Sequence, residues 1–482
     1  MTNRATSSEV ARTDLVRRVI GSLGDWTAGP GPLFRQLTRA LSGAIESGAL
    51  PEGFRLPSER ALAGALFVSR GTAVAAYQVL VADGLVRRRR GSGTYVDGAA
   101  VLGLPDGRDG SALVHRLVDA SHGPTSVIDL SLSVLHDAAG LPPVSLSTPD
   151  LETATPPTGY SPWGSPGLRR LVADRITTGG LATDPDHVVI TSGAQQAISA
   201  AAACWLRPGD TVVVEDPSYP GALAAFTQAG ARLVGVRVDT GGVVVEDLAR
   251  ALAERPALVY LQPTVHSPTG TVLSASRRRQ VAELVRRQRV PLLEDMALAE
   301  LCWRPAPPPV ASFCGDTPVA VVGSLSKVIW GGLRLGFVRA PGALALRFAR
   351  VKATVDLGTS AVSQLWAERL LATVPDLPAK RAAELRRRYR VLAGALAASL
   401  PTWRFEEPAG GLSVWVSLDG VDGERFARVA LHHGVAVATD GPLSVSGGHP
   451  DRIRLSFAAP PAVLEAAVER LRAAWQAISP PP

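Results

Sequence analysis

The chain has 482 residues, 46% of them hydrophobic and 19% charged, too long for one core, so two or more domains are expected. No apolar run reaches the length of a membrane span, and the N-terminus lacks the apolar stretch of a signal peptide, so the expectation is a cytoplasmic protein with no membrane partner. The net charge is +7, but residues 1–100 alone hold 13 arginines against 8 acidic residues, an asymmetry that points to a polyanionic partner at that end. Cys204, Cys302 and Cys314 are odd in number and show no metal-ligand spacing, so they read as reduced, packed thiols and no metal is expected.

Residues 1–25 form a lead with one helix over Asp14–Leu23. Phe34, Leu37, Leu41 and Ile45 recur at helical spacing. Gly48 ends that helix, and Leu50-Pro-Glu-Gly53 makes a turn. A second helix begins at Leu56-Pro-Ser-Glu-Arg60, capped by Ser58, with Ala61, Leu62 and Leu66 inward. A third starts at Ser69-Arg-Gly-Thr72, capped by Ser69, with Val74, Tyr77 and Leu80 inward. Two short strands follow, Leu85–Arg90 and Thr94–Val96, joined at Gly91-Ser-Gly93. Three helices and a basic hairpin make a winged helix-turn-helix over residues 26–97. Arg70 and Thr72, behind Ser69, are its candidate base readers. Arg60, Arg87, Arg88, Gly91, Ser92 and Gly93 are its candidate phosphate and minor-groove contacts. Gln36-Leu37, Leu56-Pro-Ser-Glu-Arg-Ala-Leu62, Ser69-Arg-Gly-Thr72, Ala76-Tyr77 and Gly91-Ser-Gly-Thr94 resemble the GntR superfamily over about residues 33–96.

Residues 98–126 are rich in Gly, Ala and Asp and read as a linker, with one short helix near Leu113–Val118. Over 127–482 apolar strands alternate with helices, with strand candidates at His187–Ile190, Thr211–Val214, Arg232–Val236, Ala257–Leu261, Val290–Leu293 and Val319–Val322. This pattern predicts an α/β sheet with crossovers, followed by a smaller α+β lobe over 375–475.

The stretch Gly323-Ser-Leu-Ser-Lys-Val-Ile-Trp-Gly-Gly-Leu-Arg-Leu-Gly336 stands out in this domain. Lys327 is one of three lysines, with Lys352 and Lys380, against 47 arginines. A guanidinium does not lose its proton, whereas an amine does and then adds to an aldehyde. Ser324, Ser326 and Arg334 surround it with groups suited to a phosphate. Thr191-Ser-Gly-Ala-Gln-Gln196 opens a helix after a strand, another anion site, at Ala194 and Gln195. Tyr219 sits where it would stack on a flat ring, and Asp295 follows a buried strand where it either holds a ring nitrogen or caps a helix. Arg452 and Arg454 point the same way along a strand, and one of them is a carboxylate clamp or both are solvated.

Together these groups describe a pyridoxal 5'-phosphate (PLP) site, and residues 127–478 resemble fold-type I aminotransferases. The resemblance implies that Lys327 is the Schiff-base lysine and that Ser324, Arg334, Ala194 and Gln195 hold the phosphate. It implies that Tyr219 stacks, Asp295 pairs with the pyridine nitrogen, Arg454 binds a substrate carboxylate and Tyr160 reaches a neighbouring subunit. A GntR-type reader on such a domain resembles the MocR family of PLP-dependent regulators, which implies a head-to-tail homodimer on an operator with repeated half-sites. A small amine or amino acid effector is implied as well. Two positions depart from that family. Ser267 stands where it has Asn and Ala297 where it has Tyr, both beside the cofactor's phenolic oxygen. Weak or slow turnover is therefore expected. A regulator sensing PLP or a PLP–amine adduct is the favoured reading; the alternative is a working aminotransferase with a DNA-reading appendage.

Overall fold

The computed structural model describes residues 15–24, 26–27, 32–46, 48–51, 53–82, 85–89, 93–96, 127–135, 138, 140–154 and 156–478. The linker, its expected helix at Leu113–Val118, and Gly91 and Ser92 lie outside the described residues. The chain divides into two compact units: Met1–Asp129 with Gly420–Val437 and Ala467–Pro482, and Leu130–Asp419 with Ala438–Ala466.

In the first unit a helix spans residues 15–22. Helices Leu33–Glu46, Glu59–Ala65 and Arg70–Ala82 follow, then an antiparallel hairpin of β1 (Val86–Arg89) and β2 (Gly93–Val96). Leu37, Leu41, Ile45, Leu62, Tyr77 and Leu80 are fully buried in one core. Both expected caps form: the Ala61 N–H donates to Ser58 Oγ at 3.2 Å and the Thr72 N–H to Ser69 Oγ at 3.1 Å. Two inward positions are corrected. Ala61 is exposed and Ala63 is buried in its place. Val74 is only half-buried, because the buried stripe of the third helix runs Ala73, Ala76, Tyr77 and Leu80, the i, i+3, i+4, i+7 pattern that covers one face. Residues 54–56 add a third strand-like rung to the hairpin, with Leu56 N–H donating to Thr94 O and Val96 N–H to Phe54 O, both at 2.9 Å. β3 (Ile128–Asp129) closes this segment.

The second unit is built on an eight-stranded sheet of β4 (Val188–Thr191), β5 (Thr211–Asp216), β6 (Arg232–Asp239), β7 (Gly242–Val243), β8 (Leu258–Leu261), β9 (Leu292–Asp295), β10 (Val319–Ser324) and β11 (Gly336–Arg339). Their order is β4-β11-β10-β9-β8-β5-β6-β7. All six expected strands are present. β5, β6, β8, β9 and β10 pair in parallel, whereas β11 runs antiparallel between β4 and β10. Side-chain alternation sorts the strands into two cores. Val212, Val214, Leu258 and Tyr260 enter one, and Val213, Val259 and Leu261 the other. Burial on both faces accounts for the continuous Val/Leu runs.

A smaller antiparallel sheet in the same unit has the order β12 (Arg404–Phe405), β13 (Ser413–Ser417), β16 (Arg452–Ser456) and β15 (Ala438–Thr439). β14 (Val435–Ala436) pairs in parallel with β3 in the first unit. No helix among the described residues is long and apolar enough to cross a membrane.

Candidate functional site

The groups singled out in the second unit gather at the C-terminal ends of its parallel strands, where open α/β sheets leave a ligand crevice. β9 ends on Asp295, β10 ends on Ser324 three residues before Lys327, and Tyr219 lies just beyond β5. The Lys327 backbone N–H donates to Ser324 Oγ at 3.3 Å, and its ammonium donates to the Ser133 carbonyl. Burial, and then the nearby Arg454 and Arg334 guanidiniums, pull the amine down to about 8 against the opposing pull of Asp295. An amine so placed is half neutral at about pH 8, and its neutral fraction is able to attack an aldehyde.

Asp295 is 5% exposed and fixed by two donors, Tyr260 Oη at 2.6 Å and the Ala297 N–H at 2.8 Å. Burial raises its carboxyl above the ordinary value in spite of both bonds. Position 297 thus contributes a backbone donor to Asp295 and no side-chain donor to a ligand.

The helix Ala194–Trp205 begins behind Gly193 with no side-chain cap, so its first amides are free for an anion. A Cβ on Gly193 would lie 2.8 Å from Arg334 Nη2. A Cβ on Gly336 would lie 2.6 Å from the Ala194 nitrogen and 2.7 Å from the Gly323 carbonyl. Glycine is required where these three segments close on one another. Arg334 takes a left-handed backbone, φ +54°, is exposed, and donates to Ser192 O at 3.3 Å. Ser326 is occupied locally: its hydroxyl donates to Leu335 O at 3.1 Å and accepts from Leu335 N at 2.9 Å, a clasp that closes the Lys327 loop. The Gln195 side chain donates to Gly221 O at 2.7 Å, so its side chain braces the next helix start.

Arg454 is 4% exposed and donates to Ser131 O at 2.6 Å and Ser267 Oγ at 3.4 Å. Ser267 is itself buried, with its N–H donating to Gln262 Oε1 at 3.3 Å. The half-buried Tyr219 phenol is pushed up to about 12, by desolvation and then by Asp295, and stays protonated. Tyr160 is 62% exposed.

Sequence reasoning missed Tyr260, Ser133 and the pair Glu215 and His266. Glu215 Oε2 is 3.7 Å from His266 Nε2, both within the core. Burial holds the carboxyl up at about 8 and the imidazole down at about 3, so both are neutral at pH 7. Tyr260 had no local signal, because its role depends on the neighbouring strand β9.

In the first unit Arg70 is exposed at the first position of helix Arg70–Ala82, and the Ser69 and Thr72 hydroxyls bond each other at 2.9 Å. Arg60 and Arg87 are exposed, and Arg88 pairs with Glu59 at 3.2 Å with half its side chain in solvent. Gly93 has φ +117°, and a Cβ there would lie 3.1 Å from Arg55 Nε. Arg55, which sequence reasoning passed over, is therefore a further cation against the wing.

Three features of the second unit fit PLP. They are an uncapped helix start cradled by Gly193 and Arg334 for the phosphate, the oriented Asp295 carboxyl for the ring nitrogen, and the Lys327 amine for the aldehyde.

Known proteins resemble the chain along both stretches. Residues 125–471 match the family of class I and II aminotransferases and residues 33–96 the gntR family of bacterial regulatory proteins. The chain is 28% identical over 458 residues to the HTH-type transcriptional regulator YdfD of Bacillus subtilis, covering 89% of this chain and 92% of that one. It is 30% identical over 383 residues to the vitamin B6 salvage pathway transcriptional repressor PtsJ of Salmonella typhimurium, covering 78% and 83%. The structure superposes on LysN, the α-aminoadipate aminotransferase of Thermus thermophilus, with a TM-score of 0.67 at 27% identity, over 77% of this chain and 96% of that one. An N-terminal GntR reader continuous with a class I and II aminotransferase fold places this chain in the MocR-type family of transcriptional regulators.

Proposed function

We propose that this protein is a DNA-binding transcriptional regulator whose aminotransferase-like domain takes up PLP, or a PLP–amine adduct, as its effector. The observation that carries this reading is the presence in one chain of an exposed recognition-helix start at Arg70 and of a Lys327–Asp295 site with its ring-nitrogen, amine and phosphate elements in place. When bound, PLP supplies an electrophilic aldehyde and an electron-withdrawing ring. Asp295, oriented by Tyr260, is the carboxyl that would hold a proton on the ring nitrogen. Lys327 delivers a neutral amine, and Arg454 presents a buried guanidinium to an effector's carboxylate. Ser267 and Ala297 would offer the ring a short hydroxyl and no phenol, which favours holding a ligand over turning it over.

The reader binds an operator of repeated half-sites as a homodimer, arranged head-to-tail, with the exposed Tyr160 reaching the second copy's phosphate site. A footprint of the promoter region beside this protein's own gene, with and without PLP, tests the reading. Two protected half-sites whose protection changes with PLP are expected, and a footprint indifferent to PLP contradicts it. A second reading, a working aminotransferase, draws on the retention of Lys327, Asp295 and Arg454 and on 32% identity over 315 residues to the 2-aminoadipate transaminase of Thermus thermophilus. Brisk keto acid formation from an amino donor would favour that reading.

A further inference from the structure

The turn that cradles the phosphate is braced from behind by a polar network that none of the contacts above uses. The Ser192 N–H donates to Gln196 Oε1 at 2.8 Å, and the Gln196 amide nitrogen donates to Asp356 Oδ2 at 2.8 Å. The Ser192 hydroxyl donates to the same oxygen at 3.2 Å. Asp356 ends the helix Gly342–Asp356, where a carboxylate opposes the helix dipole and needs compensation. Lys352, one turn earlier and 2% exposed, supplies it at 2.6 Å from both carboxylate oxygens, and the Gly358 N–H adds a bond at 3.0 Å. Burial raises the Asp356 carboxyl, but its bonds from Gln196 and Lys352 outweigh that and keep it ionised.

The consequence is geometric. Tying the Ser192 hydroxyl directly, and its N–H through the Gln196 amide, to one carboxylate fixes the turn at two points. The Ser192 amide is committed to Gln196, while the Ala194 and Gln195 amides at the helix start remain for a ligand. Arg334 grips the Ser192 carbonyl from the other side at 3.3 Å. Lys352 is one of only three lysines in the chain, and a buried ammonium in an arginine-rich protein fits this confined spot as a point charge where a planar guanidinium would not.

We propose that Asp356, with Gln196 and Lys352, is a positioning device that sets the phosphate-binding turn. This rests on the PLP reading above. The clamp acts on the phosphate end alone and leaves the ring and aldehyde contacts untouched. The test compares PLP with pyridoxal, which lacks the phosphate, on the full chain. Removing Asp356 alone strands a buried ammonium, so two milder variants serve: Gln196→Met, which cuts the amide bridge, and Lys352→Met with Asp356→Asn, which removes both charges together. Each is expected to weaken PLP about tenfold, the worth of one or two lost hydrogen bonds, while pyridoxal affinity stays within about twofold. An equal loss for both ligands, as general loosening of the fold would give, or unchanged PLP affinity in either variant, overturns the clamp. If the unaltered chain takes up neither ligand, the PLP reading falls and this proposal with it, a result visible in the parent rather than in the variants.

Discussion

At the scale of single residues, the amine of Lys327 is the point on which the site turns. Lys327→Ala should abolish borohydride-fixed cofactor while leaving the proposed dimer intact, which mass spectrometry and light scattering check together. Because burial and two guanidiniums hold this amine at about 8, the rate of PLP attachment should rise with pH through about 8 and then level off. Glu215 gives a second pH signature. Its folded value, near 8, lies above that of an unfolded glutamate. The protonated carboxyl therefore contributes stability that is complete below about pH 4.5 and lost as pH rises through 8. Glu215→Gln should leave stability little changed at pH 5 and raise it at pH 9, as read by urea unfolding at the two pH values. Lys327 and Asp295 stood out in the sequence as a rare residue type and a charge at a strand end, whereas only the family resemblance separated Arg454 from Arg452. Tyr260, Ser133 and Asp356 did not stand out, because each acts through a partner distant in sequence.

At the scale of elements, the helices and parallel strands followed from apolar periodicity and caps. β11 did not, since Gly336-Phe-Val-Arg339 is four residues long and reads as part of the glycine-rich loop before it. The rung at residues 54–56 was hidden for a like reason: its partner, β2, lies about forty residues later. The turn into the recognition helix holds Phe67 with φ +55° and 96% exposed. A phenyl group that packs on nothing in a left-handed turn carries backbone strain without compensation. Phe67→Gly should stabilise the reader by about 0.5–1 kcal/mol, seen as slower hydrogen exchange across Arg70–Ala82 in the full chain. On DNA, Arg70→Ala should relax specificity by about 1–3 kcal/mol at one base position. Arg88→Ala should weaken all sequences alike and flatten the salt slope by about one unit, because its exposed pairing with Glu59 is weak enough to yield to a phosphate. Equal loss of specific and non-specific binding in both variants would mean that the recognition helix and wing have been misassigned.

At the scale of the whole molecule, the charge asymmetry of the first hundred residues and the rarity of lysine were the two compositional clues that separated a nucleic-acid reader from a cofactor domain. If the proposed dimer joins two readers, residues 1–97 alone should bind a two-half-site operator about 10²–10⁴-fold more weakly than the full chain, which a gel-shift titration measures. The lysine inventory has a further use at the bench. Lys380 stands 63% exposed, Lys352 is 2% exposed and bonded to Asp356, and Lys327 lies in the crevice with a lowered proton affinity. An acylating reagent at pH 8 therefore meets, apart from the chain's N-terminal amine, one open lysine, one guarded by whatever fills the crevice and one shut away until the fold opens. The labelling pattern of this single chain would report surface access, ligand occupancy and unfolding at once, each on a different peptide.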